Sequence, residues 1–151
     1  MDGQAQEPTS GWFEGRTHVF PVRVYYEDTD FSGLVYHANY LRFMERGRSE
    51  FLRMSGAGHQ DMFAAKEPLV WAVRRMNVDF DRPARMEEVV TVRTSVLQLA
   101  GARMRLDQRV ARASDILAKA TVEVCVITLD GRPRRVPDST RKKLELFMET
   151  R

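Results

Sequence analysis

Hydrophobic and polar positions divide the chain into segments of two different periods. From Thr17 to Tyr26 the residues His18, Phe20, Val22, Val24 and Tyr26 alternate with Val19, Pro21, Arg23 and Tyr25, the period-two pattern of a strand. Pro21 has no amide hydrogen and predicts an edge position or a bulge near the start of that strand. Asp28 to His37 breaks the alternation, and Ala38 to Ser55 then takes up helical spacing. Tyr40, Met44, Gly47, Phe51 and Met54 form an apolar stripe widened by Leu41, Phe43 and Leu52. The opposite face is charged, with Arg46 and Glu50 one turn apart and spaced to pair. Gly56 and Gly58 supply termination. Gly47 in mid-helix costs about 1 kcal/mol relative to Ala, which predicts close approach of another backbone.

After a short helical piece near His59 to Lys66, strand-like runs follow at Leu69–Phe80, Glu88–Leu99, Arg103–Arg112 and Leu117–Leu129. Met104, Leu106 and Val110 alternate with Arg103, Arg105, Asp107 and Arg109, so this strand has one face in water. Short turns at Ala100-Gly101, Ala113 to Asp115 and Asp130-Gly131 make antiparallel neighbours. The expected architecture is α+β, with one long helix on one face of a five-stranded antiparallel sheet. Residues 1–16 lack any period and read as a flexible arm, residues 17–151 as one domain, and Asp138–Met148 as a last helical segment. One helix covers only part of such a sheet, and a homodimer is the simplest way to cover the rest.

Composition narrows the class. In 151 residues, 43% are hydrophobic and one is cysteine, so a core forms without disulfides and the single Cys125 fits a reducing compartment. The longest apolar run, Leu69 to Val73, is far short of the roughly 20 residues of a spanning helix. The N-terminal stretch lacks the basic start and apolar run of a secretory signal, which makes the cytoplasm the default expectation. Net charge is only +3, but 20 of the 24 basic residues are Arg, and six basic residues crowd into Arg132 to Lys143. Arg forks suit phosphate groups. No aromatic interleaving or finger spacing accompanies them, so nucleic acid is not an expected partner.

Chemistry concentrates at the strand-to-helix junction, where Glu27, Asp28, Asp30, Gly33, His37 and Asn39 fall within a short irregular span. A helix start adds backbone amides with no intrahelical acceptor. Carboxylate, imidazole and free amides together are the ingredients of acyl transfer. Each residue also has a plainer reading: the aspartates as turn or cap formers, His37 as a cap or packing group, and Gly33 as a source of positive φ. There is no G-x-S-x-G elbow, H-E-x-x-H or C-x-x-C pair, and His18, His37 and His59 are too scattered to predict a metal site.

The segments V-R-V-Y-Y-E-D-T-D, G-L-V-Y-H-A-N-Y and F-M-E-R-G-R-S-E-F-L-R, between Val22 and Arg53, resemble the hotdog-fold acyl-CoA thioesterases. Within the 4-hydroxybenzoyl-CoA thioesterase superfamily the likeness is greatest to the Tol-Pal-associated branch, and it continues weakly through Phe80 to Ala84. The resemblance implies a long helix wrapped by a curved antiparallel sheet, homodimers that pair into tetramers, and active sites at the dimer interface. It places Asp30 at the family's catalytic carboxylate and His37 at its accompanying histidine. It also places Tyr36, His37 and Gly33 at the thioester-oxygen and substrate-binding site. Phe31-Ser32 departs from the small or proline residues expected there, which bears on pocket shape. The implied reaction is hydrolysis of an acyl-CoA to free acid and CoA, with CoA as part of the substrate and neither metal nor bound cofactor. Arg74, Arg75, Arg82, Arg85 and the Arg132–Arg135 group are candidates for its phosphates.

Two other readings stand beside this one. A hotdog hydratase or dehydratase would pair His37 with Glu45. A non-catalytic protein would use the dimer surface and the Arg-rich tail to bind acyl groups, phospholipid-synthesis enzymes or the membrane surface. For the thioesterase, acyl carrier protein and lipid-synthesis enzymes are candidate partners, and the inner face of the membrane is a candidate location.

Overall fold

A computed structural model describes residues 8–148. Six strands form one antiparallel sheet: β1 (Trp12–Glu14), β2 (Thr17–Arg23), β3 (Leu69–Phe80), β4 (Val89–Ala100), β5 (Arg103–Arg112) and β6 (Asp115–Thr128). Their spatial order is β1-β2-β4-β5-β6-β3. The long helix α1 (His37–Ser55) lies over β2, β4 and β5, followed by α2 (His59–Phe63) and, after the sheet, α3 (Asp138–Glu145). This is the expected α+β architecture with one strand more than the pattern predicted.

The extra strand corrects the reading of the arm. Trp12–Glu14 turns back on Thr17–Val19. Phe13 stacks on Phe147 at 4.6 Å between centroids and meets the His18 ring edge-on at 5.1 Å. A strand of three residues is too short for alternation to register, and aromatic contacts remote in sequence hold it. Residues 1–7 of the predicted arm lie outside the described residues. His18 is buried and donates from Nε2 to the Ser10 carbonyl at 2.7 Å, and burial lowers its pKa. Pro21 sits past the end of β1, where that edge of β2 is open, as its missing amide requires.

Phe43, Met44 and Phe51 carry the buried stripe of α1, and Val90, Val92, Leu106 and Val110 meet it from the sheet. Leu41 and Met54, assigned to that stripe, are 37% and 41% exposed and lie outside the buried core. A Cβ on Gly47 would come within 2.5 Å of Val92 Cγ1, so what approaches this glycine is a side chain of the sheet, not a backbone. Glu50 pairs with Arg53 rather than with Arg46. Gln108 completes the inward row of β5. Its Nε2 donates to the Met44 carbonyl and to Thr94 Oγ1, each at 2.9 Å, and its Oε1 accepts from Arg48 at 2.9 Å. Every polar atom of that buried amide thus has a partner across the helix–sheet interface. No helix among the described residues is long and apolar enough to cross a membrane.

Candidate active site

Between β2 and α1 the chain makes a single 3₁₀ turn, Tyr26–Asp28, then a small loop closed by an antiparallel bridge between Thr29 and Val35. Within it the Asp30 amide donates to the Leu34 carbonyl at 2.9 Å, and the Gly33 amide donates to the Asp30 carbonyl at 3.0 Å. Gly33 has φ +78, and an added Cβ there would meet nothing within 4 Å, so the turn demands a glycine for its backbone and not for space. Leu34 bridges Arg85, and the Val35 amide donates to the Ala84 carbonyl at 2.9 Å. The F-D-R-P-A segment is thereby pinned against the loop.

Asp30 presents its side chain at the surface of this loop. One oxygen, Oδ1, accepts from the Ser32 amide at 2.8 Å and from the Ser32 hydroxyl. The Ser32 hydroxyl, then its amide, hold the carboxyl below the usual Asp range, and the nearby His37 adds in the same direction. Asp30 is therefore ionised at neutral pH. Ser32, one of the two residues that depart from the family pattern, is the residue that fixes this rotamer.

Asp30 and His37 line one pocket of about 300 Å³. Leu34, Val35, Tyr40, Phe80 and Pro83 give it an apolar wall, and Arg82 lies at its side. The His37 ring meets Phe80 edge-on at 5.9 Å and tilts over Tyr36 at 4.5 Å. Tyr40 is buried, and its hydroxyl oxygen accepts from the Ala84 amide at 2.9 Å. Its stripe position predicted core packing alone, although a buried phenol calls for a hydrogen-bond partner. Of the arginines considered for phosphates, Arg82 lines the pocket, 3.5 Å from Asp115. Arg74, Arg132 and Arg134 are paired with Glu123, Asp130 and Glu67.

The helix entrance corrects part of the expected donor set. The Tyr36 amide donates to the Asp28 carbonyl at 2.9 Å, and the Gly33 amide is committed within its turn, so neither is free for a substrate oxygen. The amides of His37 and Ala38 have no backbone acceptor among the described residues. These are the first residues of a 19-residue helix, where the positive end of the dipole adds to the donors. Glu45 lines a different depression with Arg48, His59 and Trp71, two turns along α1 from His37, so the acid and the imidazole of the hydratase reading do not share a pocket.

The thioesterase-like superfamily model matches residues 24–144, which contain the loop, α1 and the wall of the pocket. The chain belongs to this superfamily. Among thioesterase-like relatives, a protein of Escherichia coli named acyl-CoA thioester hydrolase YbgC is 38% identical over 122 residues, covering 80% of this chain and 90% of that protein. The acyl-CoA thioesterase YbgC of Haemophilus influenzae is 41% identical over 110 residues, covering 73% and 80% respectively. The crystal structure of a probable thioesterase from Bartonella henselae superposes with a TM-score of 0.78 at 44% identity, covering 80% of this chain and 99% of that one. The thioesterase-like fold is the hotdog architecture, and the departure from expectation is one strand.

Proposed function

We propose that this protein is an acyl-CoA thioester hydrolase in which Asp30 supplies the reacting carboxylate and the entrance of α1 receives the carbonyl oxygen. The observation that supports this most directly is one juxtaposition. An ionised carboxylate with Oδ1 held by Ser32 shares an apolar-walled pocket with the first residue of a helix whose amide is uncommitted. A thioester carbonyl at that entrance gains negative charge as it becomes tetrahedral, and the His37 amide with the helix dipole stabilises that charge. Asp30 acts on the other side of the carbonyl, either taking a proton from a water whose oxygen adds to the carbon and displaces the CoA thiolate, or attacking the carbon itself to expel the thiolate and leave a mixed anhydride that water then cleaves to the free acid and Asp30. Both routes require the ionised form that Ser32 favours. His37 contributes its amide to the oxyanion and its imidazole to placing substrate or water.

Leu34, Phe80 and Pro83 suit an acyl chain, and Arg82, which lines the same pocket, is the candidate for a phosphate of CoA. The free edge of β3, which carries the exposed Val73, and the open side of the pocket are surfaces that a second copy of the chain would close. Asp30→Asn keeps shape and removes the charge. It is expected to lower kcat by at least about 10²-fold in a CoA-release assay across a panel of acyl-CoAs, with an unchanged melting temperature. Undiminished release would defeat the assignment.

A further inference from the structure

Asp28, two residues before Asp30, is 5% exposed, and Asn39, two residues after His37, is 6% exposed. Their side chains meet: Asn39 Nδ2 donates to Asp28 Oδ1 at 2.9 Å. The second oxygen, Oδ2, accepts from the Tyr25 amide at 2.8 Å, and the Asp28 carbonyl accepts from the Tyr36 amide at 2.9 Å. One residue therefore grips Tyr25, just after the incoming strand, the residue that precedes α1, and the first turn of α1. It is not a helix cap in the ordinary sense, since Tyr36 occupies that place and makes no side-chain cap. A cap at the N-cap position would turn its oxygen onto the first amides of the helix. Asp28 leaves them free by reaching a side chain instead.

We propose that Asp28 and Asn39 are a positioning pair that fixes the separation between the Asp30 carboxylate and the free amides of the α1 entrance. This rests on the reading of Asp30 as the reacting group. Each member of the pair stands two residues from one half of the site, and the hydrogen bond between them is the side-chain tie that spans the loop. The partners of the Asp28 side chain are both donors, so position 28 must present acceptors on both sides. Asp28→Asn turns one acceptor into a donor facing a donor, with no change of size. Asp30 and the pocket wall are left as they are.

Misplacement of a reacting group by a fraction of an ångström to 1 Å costs about 10- to 10²-fold in rate. Asp28→Asn is therefore expected to lower kcat about 10-fold while KM stays within about twofold. The double variant Asp28→Asn/Asn39→Asp exchanges the roles: the introduced amide accepts from Tyr25 N–H and donates to the introduced carboxylate. It should recover kcat to within about threefold of the original, because the tie is remade with opposite polarity. Asn39→Ala, which leaves the Asp28–Tyr25 bond in place, covers the case in which Asp28→Asn does not fold, and should lower kcat with KM retained. A purely structural role would lower the melting temperature of the single variants without separating kcat from KM. Full kcat in folded Asp28→Asn and Asn39→Ala would overturn the proposal, as would a double variant no better than either single one. Asp30→Asn measured in parallel keeps the two readings apart. Full activity there removes both, whereas a large loss there with full activity in the position 28 and 39 variants removes only the positioning pair.

Discussion

The two ends of α1 are finished in opposite ways. At the C-terminal end Gly56 adopts φ +83, the Ala57 amide donates to the Leu52 carbonyl at 2.9 Å, Ser55 Oγ donates to the same carbonyl at 2.9 Å, and Lys143 donates to the Gly56 carbonyl at 3.2 Å. The local chain and one lysine from α3 satisfy that terminus, as a helix end in a stable fold ordinarily is. At the N-terminal end no side chain caps Tyr36, and the amides of His37 and Ala38 stay without a backbone acceptor. Unmet donors beside a carboxylate detract from stability and serve reaction chemistry. The closed end belongs to folding, and the open end is the one to which the proposed reaction assigns the thioester oxygen.

That contrast makes opposite predictions for the two termini. The largest effect belongs to the open end, where Asp30→Asn costs at least about 10²-fold in kcat and nothing in melting temperature. At the closed end Gly56→Ala forces a Cβ into the left-handed region and to 3.0 Å from the Lys143 side chain. It should destabilise by about 1–2 kcal/mol in denaturant unfolding and leave kcat/KM unchanged. A rate loss in that variant would show that the two ends are not separate. The smallest effect is that of Ser32→Ala, which removes the main influence that lowers the Asp30 pKa. In the proposed reaction the carboxylate must be ionised, so activity is expected to fall on the acid side as Asp30 protonates. Losing the serine hydroxyl moves that acid limb of the kcat/KM profile to higher pH while the plateau near neutrality holds. An unmoved acid limb would detach Ser32 from Asp30.

How much was legible in the sequence follows the range of the interactions involved. β5 and the long helix are visible because burial on one face imprints its period on many residues, and α1 starts one residue before the expected Ala38 and ends at the expected Ser55. β1 was not visible, since three residues carry no period and Phe147 that stacks on it lies at the far end of the chain. The site loop was legible as a place, through its loss of period and its density of polar residues, and the family motif singled out Asp30 and His37. Its hydrogen-bond accounting was not. Whether an amide such as that of Tyr36 is free or spent on Asp28 is a question of three-dimensional pairing that no spacing encodes. The same holds for Gln108, whose place in the inward row of β5 is acceptable only because Met44, Thr94 and Arg48 converge on it.

The central claim is that the open end of α1 receives the thioester oxygen. Infrared difference spectroscopy of an acyl-CoA with a ¹³C-labelled carbonyl, bound to the slow Asp30→Asn variant, reads this directly. The carbonyl stretch of the bound thioester should lie at lower frequency than that of the same compound free in buffer, as a donor and a helix dipole aligned on the oxygen require. A bound carbonyl at the free frequency would contradict the account, because the amides at His37 and Ala38 would then have no part in the reaction.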